Sequence, residues 1–236
     1  MSQQPALNIV LPQDLSLYNF IPGPNLEVYN QLFKLQAGHL LYLFGSSHCG
    51  KTHLLKALQH HYGGLYFDAQ NWPEELSDFA PLQAEPLLAI DDIEQFNDAQ
   101  QSLLFDLLNL WKRQQGSTDA FILVLAGAHS PLHMQIREDL RNRLGWDLAY
   151  RLHPLATDDM LTAIQQRAFD LGMKISDSAC RWLLNHTERS IPTIYAWLRA
   201  LDNYSIAQRR QITVPLIKSY MAQHQDAVPL SEGNDQ

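Results

Sequence analysis

Eight consecutive residues, Gly45-Ser46-Ser47-His48-Cys49-Gly50-Lys51-Thr52, have the types and spacing to hold a polyphosphate. The run has the form G-x-x-x-x-G-K-[ST], the P-loop. Its glycines let the backbone curl so that N–H groups turn inward on an anion. A helix that starts where the run ends adds the positive end of its dipole. In that arrangement Lys51 reaches the β- and γ-phosphates and the Thr52 hydroxyl ligates Mg²⁺. A second run, Leu87-Leu88-Ala89-Ile90-Asp91-Asp92, is apolar until it ends in two acids. Asp91 would hold Mg²⁺ through water, and Asp92 would orient or activate the attacking water. Taken alone, two acids there could equally cap a turn. Arg143, in Asp139-Leu140-Arg141-Asn142-Arg143-Leu144-Gly145-Trp146, could offer a guanidinium to the γ-phosphate of another molecule. From its own segment alone, a surface salt bridge is the favoured reading.

These groups need a frame, and the hydrophobic pattern supplies one. Short apolar runs at 40–44, 64–68, 87–92, 120–126 and 151–155 read as strands. Between them, helical spacing is expected at 26–36, from the end of the P-loop through Leu58, at 71–79 with Pro73 near its start, and at 98–115, stopped by Gly116. Strands that are apolar throughout and alternate with helices predict an α/β fold whose parallel sheet is covered on both faces. Near Ala156 the pattern changes. Helices are expected at 157–171, 176–186, 192–205 and 214–223, with Ser176 as an N-cap and Asp158 and Asp159 in a first turn. The expected organisation is a flexible arm over 1–16, a nucleotide-binding α/β domain over 17–155, a small all-helical domain over 156–225 and a polar tail over 226–236. His60, His61, Trp182, Tyr195 and Trp197 read as solvated or core residues, and Cys49 as a small filler with no nearby base.

Composition narrows the class. The chain has 236 residues, 46% hydrophobic and 18% charged, an ordinary globular profile. Two cysteines make neither a disulfide framework nor a metal cluster. No run is long enough to span a bilayer, and no basic and apolar leader opens the chain, so a cytoplasmic protein without a membrane partner is expected. With 17 Lys+Arg against 25 Asp+Glu the net charge is −8, which gives no global attraction to nucleic acid. Any DNA association would be local or carried by a partner.

The segment Leu41-Tyr42-Leu43-Phe44-Gly45 through Thr52-His53-Leu54-Leu55 resembles the P-loop of the DnaA branch of the AAA+ ATPases. Tyr18-Asn19-Phe20 and Gly23-Pro24-Asn25 resemble that branch's lead-in loop, which implies that Phe20 and Pro22 pack near an adenine. Ile90-Asp91-Asp92-Ile93 is similar to its Walker B, and Asn142-Arg143-Leu144-Gly145-Trp146 to its arginine-finger segment. The resemblance covers roughly residues 17–221 and implies an AAA+ core followed by a helical lid. The sequence stops where DnaA continues into a helix-turn-helix module. A DnaA-like core with a short arm is similar to the regulatory inactivators of DnaA. In the arm, Gln4, Leu7 and Ile9 resemble the peptide that binds the DNA polymerase III sliding clamp (its β subunit), an extended segment that would seat its side chains in pockets. A plain tail remains the alternative.

That resemblance implies a negative regulator of DNA replication, tethered to the DNA-loaded clamp, that gives Arg143 to ATP-bound DnaA and so touches DNA only indirectly. Two departures from the family pattern matter. Ala126-Gly127-Ala128 stand where a polar sensor residue is usual, and Pro192 stands where the lid usually presents an arginine, with Arg189 close by. A proline has neither charge nor N–H. The implication is ADP or ATP, with Mg²⁺, held as a conformational ligand, with weak or no turnover. The competing expectation is a stand-alone DNA-acting AAA+ ATPase, such as a helicase loader or transposition helper. A small-molecule kinase is more remote, for want of an acceptor-binding segment.

Overall fold

The computed structural model describes residues 15–74, 85–187 and 190–223. The expected arm residues Gln4, Leu7 and Ile9, most of the expected helix at 71–79, and Arg189 lie outside them. Residues divide into two compact units. Among the described residues, one comprises those through Phe20 and from Glu27 to Leu152; the other comprises Ile21–Leu26 and those from His153 on.

The first unit is built on five parallel strands in the order β2-β3-β4-β1-β5: β1 Leu40–Phe44, β2 Leu65–Phe67, β3 Leu87–Ile90, β4 Ile122–Gly127 and β5 Leu148–Arg151. Strands β3 and β4 are buried at every position, because helices cover both faces. Alternate strand residues feed two cores. Leu40, Tyr42, Leu88, Ile90, Leu123 and Leu125 pack with Leu104, Leu107, Leu108 and Trp111. Leu41, Leu43, Leu87, Ala89, Ile122 and Val124 pack with Leu54, Leu55, Ala57 and Leu58. The helices in this unit are α1 Leu26–Leu32, α2 Lys51–Tyr62, α3 Asp98–Gln114 and the short α4 Glu138–Arg141.

Two expected elements shift most. Helix α1 ends at Leu32, short of residue 36. The fifth strand lies at Leu148–Arg151 and not at 151–155. It is an edge strand with alternating exposure, so its sequence carries no continuous apolar run. Its ladder with β1 closes at the Leu152 N–H, which donates to the Phe44 carbonyl at 2.7 Å; Pro154, lacking an N–H, cannot prolong it.

The second unit holds α5 Thr157–Asp170, α6 Asp177–His186, α7 Ile191–Gln208 and α8 Val214–Gln223. Their apolar faces close on one core that includes Ile164, Leu183, Trp197, Leu198 and Leu201. Ser176 caps α6, its hydroxyl accepting from the Ala179 N–H at 3.2 Å. The lead-in loop is fastened here as well. The buried Asn25 amide accepts from the His153 N–H at 2.7 Å and donates to the His153 carbonyl at 2.8 Å. Among the described residues no helix is long and apolar enough to cross a membrane.

Candidate functional site

In an open parallel sheet the loops beyond the carboxyl ends of the strands form the binding crevice. The P-loop leaves the end of β1, flanked by the ends of β4 and β5, and α2 begins at Lys51 itself. Two glycines are demanded by close approach. A Cβ on Gly45 would lie 2.4 Å from the Leu152 carbonyl oxygen, and one on Gly50 would lie 2.9 Å from the Phe20 ring. Gly50 is also left-handed, at φ +98°, where it turns the chain into α2. Lys51 is buried, and its ammonium donates to the Gly45 and Ser46 carbonyls at 3.0 and 3.3 Å. Ser46, Ser47, His48 and Thr52 are exposed, while Cys49 is buried, which pushes its thiol up. A thiol so raised is a filler and not a nucleophile.

Phe20 closes one side of this loop. Its ring stacks on Tyr29 at 6.1 Å and meets the His53 ring edge-on at 5.3 Å. His53, in the first turn of α2, reaches the Ser16 carbonyl through Nε2 at 3.1 Å, and burial lowers its pKa. Pro22 belongs to the other unit, as the residue before a short 3₁₀ turn at Gly23–Asn25.

The acids sit at the end of β3. The Asp91 N–H still pairs with the Phe67 carbonyl at 2.9 Å, so its position is fixed by the sheet. Its side chain is 1% exposed and fully oriented: one oxygen accepts from the Tyr66 hydroxyl at 3.0 Å, the other from the Asp92 N–H at 2.9 Å. Asp92 is half-buried and left-handed, at φ 47° and ψ 46°. Burial raises its pKa, and the charges of Asp91 and Glu94 add to the rise. Tyr66 is pushed above its ordinary value by burial and then by Asp91.

At the end of β4 no side chain at residue 127 can report on a ligand. The place a Cβ would take there lies 2.6 Å from the Tyr42 hydroxyl and 2.3 Å from Met134. The Tyr42 hydroxyl donates to the His129 carbonyl at 2.6 Å, deep in the core.

Arg143 follows α4, on a turn anchored by the buried Leu140 and Leu144. Its half-buried guanidinium lies 3.7 Å from the Phe105 ring centre and 4.9 Å from that of Trp146, and it donates to the Asn109 amide oxygen. Among the described residues no carboxylate is within ion-pair distance of it. The ion pair on this surface joins Arg137 to Asp139 at 2.7 Å. Phe105, Asn109, Tyr66 and His53 were not singled out from the sequence. The available signal for the first two was their four-residue spacing on the half-exposed side of α3.

The sheet order, the loop at the end of β1 and the paired acids at the end of β3 give a P-loop α/β fold of the AAA+ type. Residues 157–221 match the family model described as Hda, lid domain. An uncharacterized protein of Haemophilus influenzae is 28% identical over 233 residues, covering 94% of this chain and 99% of that one. Domain III of the Thermotoga maritima replication initiation protein DnaA has a similar structure, with a TM-score of 0.74 at 15% identity over 90% of this chain and 98% of that one. AMPPCP-bound DnaA from Aquifex aeolicus gives a TM-score of 0.62 at 18% identity over 78% of this chain; this chain covers 63% of it. The chain is thus similar to Hda over residues 157–221, and its fold is that of the DnaA-type AAA+ structures.

Proposed function

We propose that this chain is a nucleotide-binding regulator of DnaA. The observation that carries the reading is the match of 157–221 to the Hda lid, joined to a first unit whose loop and acids have the arrangement of a nucleotide site. ADP or ATP is held with its phosphates on the N–H groups of 45–52 and on Lys51, which exchanges loop carbonyls for phosphate oxygens. Phe20 lies by the base. Mg²⁺ is held by the Thr52 hydroxyl and by Asp91 through water. Hard oxygen donors of this kind suit that ion, the remaining ligands coming from phosphate and water. Its chemistry there is to neutralise phosphate charge. Asp92, with its carboxyl raised, is the base. With Tyr42 and Met134 filling the place beside Gly127, nothing on β4 reports the γ-phosphate, and the chain's own turnover is slow.

The regulatory act is performed on a partner. The arm carries Gln4, Leu7 and Ile9 to the β sliding clamp on DNA, and Arg143 completes the ATP site of DnaA. A guanidinium on the transferring phosphoryl group stabilises charge that develops only in the transition state. Such a finger is worth about 10³–10⁵ in rate. The test is hydrolysis of DnaA-bound ATP with clamp-loaded DNA. Arg143→Ala should abolish the stimulation while ADP binding persists, and Lys51→Ala should lose ADP binding. Full stimulation by Arg143→Ala would refute the mechanism. Fast DNA-dependent hydrolysis by the chain alone would favour a helicase-loader or transposition-helper role instead.

A further inference from the structure

The surface around Arg143 does more than display a charge. A structural arginine at a protein surface usually ends on a carboxylate, and Arg137 does so here, with Asp139 at 2.7 Å and the Ser102 hydroxyl at 2.7 Å. Arg143 is held differently. Two aromatic faces flank its guanidinium, at 3.7 Å for Phe105 and 4.9 Å for Trp146, and a neutral amide, Asn109, takes one N–H. Rings attract a cation through their quadrupole without neutralising it. An amide oxygen fixes direction and leaves the charge whole. A guanidinium has five N–H donors in a planar fork, and this seat leaves the greater part of the fork for a bidentate oxyanion partner.

Phe105 and Asn109 stand one turn apart on α3, so their spacing is set by the helix. Trp146 comes from the loop three residues beyond Arg143, where its N–H bonds the Arg143 carbonyl at 3.1 Å. The clamp is thus closed from two elements. A long side chain that is ordered before it meets its target loses less rotamer freedom on engagement.

We propose that Trp146 and Phe105 are positioning residues, two rings that hold the Arg143 guanidinium pre-oriented and un-neutralised for a triphosphate on a neighbouring molecule. The inference rests on the reading of Arg143 as the group that acts in trans. It is tested by titrating the full chain, with clamp-loaded DNA, into ATP-bound DnaA and separating the maximal hydrolysis rate from the half-saturating concentration. Trp146→Ala should lower the maximal rate roughly threefold to thirtyfold, the range of one ring contact, with half-saturation unchanged. Trp146→Phe should restore most of the rate. Phe105→Leu, which keeps bulk and removes the ring, should repeat the loss. In NMR the Arg143 side-chain resonances should lose their ring-current shift in both ring-deleting variants. An unchanged rate, or a change confined to half-saturation, would overturn the clamp and leave these rings as a docking surface. The parent reading fails separately, if Arg143→Ala stimulates fully. Should Arg143→Ala be inactive while both ring variants keep the full rate, the trans-acting reading stands and the clamp falls.

Discussion

Asp91 and Asp92 are neighbours in sequence with opposite surroundings. Asp91 is 1% exposed and has a donor on each oxygen. Asp92 is half-buried, and its carboxyl is raised by burial, by Asp91 and by Glu94. A carboxyl raised in the folded state binds more protons there than in the unfolded chain, so it contributes stability at low pH that is lost as pH rises through its folded value. Asp92→Asn should therefore raise the melting temperature at neutral pH. The gain should shrink as pH falls toward the ordinary carboxylate range, and thermal melts from acid to neutral pH read it directly. A gain that grew on acidification would contradict the assigned surroundings. Tyr66→Phe makes the complementary test. It leaves a buried Asp91 oxygen without its donor, at a cost of about 1–3 kcal/mol, measurable by urea unfolding.

Helix α3 shows how an element delivers such residues. Asn97 starts it with a capping box: its side chain accepts from the Gln100 N–H at 3.0 Å, and the Gln100 side chain accepts from the Asn97 N–H at 3.0 Å. Leu104, Leu107, Leu108 and Trp111 bury one face, which leaves Phe105 and Asn109 beside Arg143. Asn97→Ala should cost about 1 kcal/mol and about 2–4 °C in melting temperature, with weakened Arg143 ring-current shifts if the cap holds the helix in register. The apolar face of α3 was legible from its spacing, as were β1, β3 and β4, because continuous burial leaves a continuous apolar run. Strand β5 was displaced in the sequence reading because an edge strand exposes alternate residues and Leu148-Ala149-Tyr150-Arg151 carries no such run. The phosphate loop was legible because its backbone needs glycine at fixed places. The seat of Arg143 was not, since its bond to Asn109 joins residues 34 positions apart and leaves no local pattern.

At the scale of the whole molecule the question is whether so acidic a chain would bind DNA by itself. The net charge is −8, and two of its cations are held by oxygen partners within the chain. Lys51 lies in its loop and Arg137 is paired with Asp139. Affinity for a nucleic-acid backbone comes mostly from cations that displace condensed counterions, and it falls steeply with salt in proportion to their number. The free chain should therefore leave the anisotropy of labelled single-stranded DNA unchanged at about 0.15 M salt, with almost no salt slope below it. Association should appear when the sliding clamp is loaded on the same DNA. It should vanish again for Gln4→Ala combined with Leu7→Ala, a change that leaves the phosphate loop untouched. A steep salt slope for the free chain would mean that it grips DNA by itself, and the tethered-regulator reading would give way to that of a DNA-acting ATPase.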